Sequence, residues 1–430
     1  MRVLVIGGTG LIGGAVVARL IEMRHEVVGV ARRTSRPRRG MPAAEWLALD
    51  IASLTDPQDW LPYLAGVEAA VNCAGVLQDS PRDSTCGVHV EGIGALFAAC
   101  ERFWPRRVVH VSAIGVDRQT PTDFSRTKIE ADRALIERDL DWVILRPSVV
   151  LGPAAYGGSA LFRGLAALPI LPVIPDAGPL QIVQLDDVVE TILFFLVPSA
   201  PSRVSLDLAG PEPLSFADIV RHYRRWLGWP EPRLLRVPGA VAALFFWLGD
   251  VAGWLGWRPP LRSTARYEIR RGAIGDPSHW TELTGISPRS LAAALATRPA
   301  SVQERWFAGL YLLKPVVFIV LSLFWIATGA LSLGPVYPAG LRLLEQAGAG
   351  PLSVTLVLAG GIADIAIGIG IAVRRTSRLA LWAAFAVSIF YLLAATVTLP
   401  VLWVDPLGPL VKIVPVLVLN LAALAILEDR

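Results

Sequence analysis

Short apolar runs alternate with longer amphipathic stretches over the first 150 residues. RVLVI (2–6) is a continuous apolar run suited to a strand buried on both faces. It passes through GGTGLIGG into the apolar helical stretch AVVARLIEM. EVVGVA (26–31) predicts a second strand, and AEWLALD a third that ends at Asp50. VEAAVNCAG predicts a fourth, with Asn72, Ala74 and Gly75 at its C-terminal end, and RRVVHVSAIG a fifth, ending at Ser112. Helices are expected near 56–65, over about 86–103, and from FSRTK (124–128) through IEADRAL, after which DWVILRPSVVLGP returns to the strand pattern. Strands alternating with helices specify an α/β fold with a doubly wound parallel sheet. In such sheets ligands sit outside the C-terminal ends of the strands.

Residues 1–150 read as a nucleotide-binding core, and 151–300 as a smaller substrate lobe that completes the domain. In QIVQLDDVVETI, Asp186 and Asp187 fit a helix N-cap and a first-turn charge. LAGPEPLSFADIV predicts a strand, a turn and a capped helix. The run at 237–257 is apolar, rich in Trp and interrupted at Asp250. It is short for a span, so it fits an interfacial helix or one buried against the fold. The pattern then changes. Four apolar segments, 315–333, 352–373, 379–400 and 409–427, approach the roughly 20 residues a spanning helix needs. They predict an all-α, four-helix transmembrane domain over 306–430.

Composition supports that division. The chain has 430 residues, 53% of them hydrophobic, and a mean hydropathy of +0.52, which is too apolar for an ordinary soluble enzyme. Most charge lies before residue 305. Arg374, Arg375 and Arg378 crowd the turn between the second and third segments, which places that turn on the cytoplasmic side. With four spans, both termini are then cytoplasmic and the protein is a multi-pass inner-membrane protein. Cys73, Cys86 and Cys100 read as reduced thiols, and no Cys/His cluster points to a metal. The net charge of +4 comes without a basic motif interleaved with aromatics, so nucleic acid is not an expected partner. Asp364, inside the second span, and Lys412, at the start of the fourth, predict a direct contact or a polar headgroup held between them. A purely structural pair, or a Lys412 that snorkels to the interface, fits as well.

The candidate chemistry begins at Gly7-x-x-Gly10-x-x-Gly13. A strand, a glycine turn and a helix N-terminus form an anion site for a pyrophosphate, which assigns Gly7, Thr9, Gly10, Leu11, Ile12 and Gly13 to a dinucleotide. Arg32 and Arg33 follow the second strand, where an NAD site usually carries an acidic residue. Guanidinium groups suit a 2′-phosphate, so NADP (NADPH) is favoured over NAD. Arg36 to Arg39 fit a solvated loop. Asp50 can face the adenine edge, with Ala74 and Gly75 near the cofactor.

The motifs GGTGLIG, ALDIAS, VNCAG, HVSAIG, SRTK, LRPSVVLGP and QLDDVVETI resemble those of an extended or atypical short-chain dehydrogenase/reductase (SDR), a Rossmann fold. The group containing the accessory NADPH-binding subunit of respiratory complex I is especially similar. LYLLKPVVFIVLSLFWIATG, LAGGIADIAIGIGIAV and WVDPLGPLVKIVPVLVLNLAALAILE resemble the DoxX-like membrane domain. The resemblance implies a tyrosine that protonates the substrate oxygen, a lysine four residues on that binds the nicotinamide ribose, and a serine ending the fifth strand. Lys128 and Ser112 match those catalytic positions. The tyrosine position holds Phe124, whose ring has no ionisable proton. The expected function is a membrane-anchored NADP(H)-binding oxidoreductase whose acceptor, such as a quinone or another lipophilic compound, needs no tyrosine proton. Tyr156 could supply a substitute hydroxyl. A catalytically silent, cofactor-bound structural, assembly or sensor protein is the alternative, and a sugar-nucleotide epimerase or dehydratase a third reading.

Overall fold

The computed structural model describes residues 1–428 apart from Arg82, Gln119 and Pro175. The chain divides into two compact units, Met1–Val251 with Pro259–Ala308, and Ala252–Arg258 with Gly309–Arg430.

The first unit is built on a parallel sheet. Its strands include β1 (Arg2–Ile6), β2 (Glu26–Ala31), β3 (Glu45–Ala48), β4 (Ala69–Asn72), β5 (Arg107–Val111) and β6 (Asp141–Pro147). Strand Val204–Leu208 pairs with β6 and completes seven strands, in the order Val204–Leu208, β6, β5, β4, β1, β2, β3. The order reverses between β1 and β4, the position where doubly wound sheets bind ligands. Alternate residues feed opposite faces. Val3, Val5, Val109 and Val111 join a core with helices Leu11–Glu22 and Leu185–Leu196. Leu4, Ile6, Ala70 and Val108 join the other core, with helices Pro57–Leu64 and Ile93–Phe103. The inner strands β1, β2, β4 and β5 are buried on both sides, which is why they read as continuous apolar runs, whereas β3 at the edge leaves Glu45 and Ala48 exposed.

Three local expectations change. The third strand stops at Ala48 rather than Asp50, because the Asp50 carboxylate accepts from the Ala52 N–H and caps a turn of 3₁₀-helix. The helix expected over 86–103 begins with a π-helical turn, Gly87–Gly92, before Ile93–Phe103. Gln184 occupies the N-cap expected of an aspartate. Asp186 and Asp187 lie in the first turn and pair with Arg289, with Nη2–carboxylate distances of 3.5 and 3.0 Å. The capped helix after LAGPEPLS is Phe216–Trp226, closed by reciprocal bonds between Ser215 and Asp218.

The run at 237–257 contains helix Gly239–Trp254, on which Leu244, Phe245, Trp247 and Leu248 are exposed while Ala242 and Phe246 are buried. Asp250 accepts from Gln78 at 2.8 Å, so the charge that interrupts the apolar run ties the helix to its own unit.

The second unit is helical. Val302–Leu333, which continues from the first unit, Gly350–Ala372 and Ser377–Thr398 are long and apolar enough to cross a membrane. Their packed core includes Leu321, Ile371, Leu381 and Ala384. The fourth expected span is shorter. Its regular helix is Ile413–Ile426, 14 residues, or about 21 Å against a hydrocarbon core of about 30 Å. Pro406, Gly408 (φ +55°) and Pro409 break the chain before it. The expected Asp364–Lys412 contact is not formed among the described residues. Tyr391 instead donates to Asp364 at 3.3 Å, and Lys412 stands at the N-cap of the short helix.

Candidate active site

The glycine turn joins β1 to helix Leu11–Glu22. Gly7 has φ +74°, and a Cβ there would lie 2.9 Å from backbone atoms of Cys73 and Ala74. At Gly13 a Cβ would lie 2.3 Å from the Gly7 carbonyl oxygen. The first glycine therefore lets the turn lie on the end of β4, and the third lets the helix lie on the turn. Gly7 and Gly8 N–H groups donate to the Val30 carbonyl. Gly10 is the helix N-cap and has no side chain to cover it. The N–H groups of Leu11, Ile12 and Gly13 form the first turn, whose donors lack intrahelical partners. Thr9 is exposed beside them, while Leu11 and Ile12 pack partly on the core. An uncovered helix N-terminus behind a glycine turn fits a dinucleotide pyrophosphate.

Lys128 enters from helix Asp123–Ile136. It is buried, and its Nζ donates to the carbonyls of Ala74 at 3.2 Å and Val111 at 2.9 Å. Gly75 lies beside it, with a Cβ position 3.8 Å from Nζ. Gly7, Ala74, Gly75 and Lys128 are thus brought together at the switch point of the sheet. Burial pulls the Lys128 ammonium down to about 8, with the Asp132 carboxylate opposing the fall.

Phe124 lies one helical turn before Lys128 and meets the His89 ring edge-on, with centroids 6.0 Å apart. His89 comes from the π-helical turn. Its Nε2 accepts from the Val76 N–H at 2.9 Å, and its Nδ1 lies 2.8 Å from Thr127 Oγ1, which itself donates to the Asp123 carbonyl. These contacts assign the proton to Nδ1. Burial, with the nearby Lys128 charge, holds His89 down at about 2, so it is neutral. Both ring nitrogens are engaged, so neither is free to meet a substrate beside Phe124. Tyr156 stands at the N-cap of helix Gly157–Ala166, its N–H donating to Ser159 Oγ at 2.8 Å.

Beneath Lys128 lies a polar network that the sequence reading did not anticipate. Asp132 is fully buried, and Arg146 Nε and Nη2 each reach its Oδ2 at 3.0 Å. His110 Nε2 faces Asp132 Oδ1 at 3.4 Å. Asn72 Nδ2 donates to His110 Nδ1 at 2.8 Å, and Asn72 Oδ1 accepts from the Ala74 N–H at 3.0 Å. The chain of contacts from Arg146 to Ala74 thus orients the peptide next to the carbonyl that holds Lys128. Burial raises the Asp132 carboxyl, but His110, the nearby Ser112 hydroxyl and Arg146 together hold it below its usual value. Ser112 Oγ is buried with no hydrogen bond among the described residues. Two signals were available: Asp132 is four residues after Lys128 on the same helix face, and Arg146 and His110 sit inside apolar strands.

A family model described as NAD(P)H-binding matches residues 7–162, and one described as the DoxX-like family matches residues 322–421. The chain is 30% identical over 310 residues to the 3-diazoavenalumate denitrifying reductase of a Streptomyces species, covering 64% of this chain and 93% of that protein. The chain belongs to the NAD(P)-binding SDR-like family, with a DoxX-like domain at its C-terminal end. A ceramide reductase of Caulobacter vibrioides is 23% identical over 244 residues, 55% of this chain and 73% of that protein. An uncharacterized protein of Mycobacterium tuberculosis is 26% identical over 219 residues, 51% of this chain, and the match spans only 23% of that protein's length. Among solved structures, WbmG of Bordetella bronchiseptica in complex with NAD is similar at a TM-score of 0.55 and 16% identity, covering 72% of this chain and 95% of that one. The UDP-glucuronic acid 4-epimerase of Bacillus cereus is similar at 0.54 and 16%, covering 72% and 100%. At these identities the structures show the fold alone.

The rim of this SDR-like domain holds the remaining expected residues. Arg32 follows β2 and donates to Asp83 at 2.6 Å, which ties the loop after β4 to the end of β2. Arg33 is exposed. Asp50 is exposed and engaged in its cap. Arg36 and Arg39 are exposed, while Arg38 donates to the Trp46 carbonyl at 2.8 Å. The helix bearing Lys128 is pinned at its start, where Thr122 and Ser125 hydroxyls donate to Glu268 at 2.5 and 2.9 Å. Serine of the SRTK motif is therefore a tether to helix Ser263–Arg271.

Proposed function

We propose that this protein is a membrane-anchored, NADP(H)-dependent reductase whose acceptor takes hydride without needing a tyrosine proton. The observation that carries the reading is Phe124 packed on a neutral, fully engaged His89, one turn from a buried Lys128. NADPH, when bound, would supply the hydride. Gly7, Thr9, Gly10 and the first-turn N–H groups of Leu11, Ile12 and Gly13 would hold its pyrophosphate. Lys128 would hold the nicotinamide ribose, with Ala74 and Gly75 beside it and Ser112 facing the acceptor. Arg32 and Arg33 would receive the 2′-phosphate, and Asp50 would face the adenine. The similar Streptomyces protein is named as a denitrifying reductase of a diazo compound. An arenediazonium group that accepts hydride releases dinitrogen and forms a C–H bond, so no oxygen awaits a proton. Acceptors of that kind, or lipophilic ones such as quinones that take their proton from water, fit a site with Phe124.

The DoxX-like domain would anchor the enzyme in the cell membrane. Its three long helices and the short Ile413–Ile426 helix would make four crossings, with both termini cytoplasmic, where NADPH is found. Exposed Leu244, Phe245, Trp247 and Leu248 would rest in the interface.

The same absence of a proton donor favours a second reading, in which the domain holds its cofactor without turnover. Following NADPH oxidation on detergent-purified protein with diazonium, quinone and carbonyl acceptors separates the two. Turnover with any of them supports the reductase, and NADPH that stays bound and reduced with all of them supports the silent module.

A further inference from the structure

The DoxX-like unit contains a cavity of about 260 Å³ whose lining includes Phe324, Trp325, Asp364, Ser388, Tyr391 and Lys412. Its polar groups are under-used. Asp364 is only 3% exposed, yet among the described residues its carboxylate accepts a single hydrogen bond, from Tyr391. Ser388 is 4% exposed, and its hydroxyl has no hydrogen bond among the described residues. Trp325 Nε1 is also buried without a hydrogen-bond partner among the described residues. Polar groups kept unpaired in an apolar bundle cost about 1–3 kcal/mol each, and an ionisable residue at such a place marks a functional site.

We propose that this cavity binds an uncharged lipophile with a hydroxyl head, a phenol or an alcohol. Asp364 and Lys412, of opposite formal charge, both line the cavity, so its lining does not select a charged head. The Asp364 carboxylate needs a donor, while Ser388 can donate. A hydroxyl group offers both a proton and an acceptor oxygen; a ketone or ether offers only the acceptor. The size lies just below the range of about 300–1,000 Å³ common for small-molecule sites, which fits one aromatic ring with a short alkyl chain against Phe324. The site is independent of the nucleotide-binding reading above.

The test is equilibrium dialysis of the full chain in detergent against radiolabelled para-butylphenol and its methyl ether, para-butylanisole. Saturable phenol binding is expected, about tenfold or more tighter than the ether, as loss of a hydrogen bond to a charged group implies. Asp364→Asn is expected to weaken the phenol about tenfold and to narrow its lead over the ether, and Ser388→Ala to weaken it about fivefold. Ser388→Ala suits a helix interior, so it decides the matter if Asp364→Asn fails to fold. Unsaturable, equal uptake of both probes means partition into lipid or detergent only and overturns the proposal. So does saturable phenol binding that Ser388→Ala leaves unchanged.

Discussion

Replacing Lys128 by methionine tests the cofactor role of the buried ammonium. The group has three N–H donors, of which two are given to the Ala74 and Val111 carbonyls. The third is left for a ribose hydroxyl. A hydrogen bond to a charged group is worth about 1.5–3 kcal/mol, so Lys128→Met should weaken NADPH binding about 10- to 100-fold. The wild-type protein carries its own control, because burial places the Lys128 pKa at about 8 rather than 10.5. Above that value the free site loses its proton, and affinity that depends on the charged form should fall about tenfold per pH unit. Stability moves the other way. Between pH 8 and 10.5 the unfolded lysine binds a proton that the folded one does not, so this group's contribution to stability rises with pH across that window. Deprotonation of Lys128 therefore weakens binding without unfolding the domain. NADPH fluorescence titrations from pH of about 7 to 9.5 read the affinity, spanning the titration of a group near 8, and thermal melts over the same range read the stability. The wild-type profile should bend near pH 8, and the methionine variant should be flat. A wild-type affinity that stays constant over this range, or a variant that follows the same bend, would refute the assignment of Lys128 to the cofactor.

Gly7→Ala should cost roughly 1–2 kcal/mol for its left-handed backbone and about 1–3 kcal/mol more for the 2.9 Å approach to Cys73 and Ala74; a thermal melt should fall, and NADPH affinity by about tenfold or more. Arg33→Ala should weaken NADPH about tenfold, as loss of a charge-assisted contact implies, and leave NADH affinity unchanged; equal losses for both cofactors would remove the 2′-phosphate from the account. Arg375→Cys should label with an impermeant maleimide only from the cytoplasmic face of oriented vesicles, and Leu407→Cys only from the opposite face, whereas labelling of both from one side would exclude the proposed crossings.

The sheet was legible because its inner strands are buried on both faces, so β1, β2 and β5 read as uninterrupted apolar runs without any periodicity to misjudge. The glycine turn was legible because the chain can lie against Cys73 and Ala74 only without a Cβ at Gly7. The network under Lys128 was not. Asp132, His110, Arg146 and Asn72 come from a helix and three strands, and only the register of β4, β5 and β6 makes them neighbours. His89 escaped notice for a similar reason, since a π-helical turn, absent from any simple period, sets its ring against Phe124. In the C-terminal unit, hydropathy found the apolar segments but not the break that shortens the last regular helix to Ile413–Ile426. Pro406, Gly408 and Pro409 were visible as breakers, and they leave Lys412 at a helix start rather than beside Asp364.

The central claim is turnover without the tyrosine. The most direct measurement follows the fluorescence of NADPH bound to detergent-purified protein while an arenediazonium salt, and separately an alkylated quinone, is added in excess. The account predicts catalytic oxidation of NADPH by at least one of them, at a rate that Lys128→Met lowers. NADPH that binds stoichiometrically and remains reduced with both acceptors, and with carbonyl compounds as well, would contradict it and leave a module that holds its cofactor without using it.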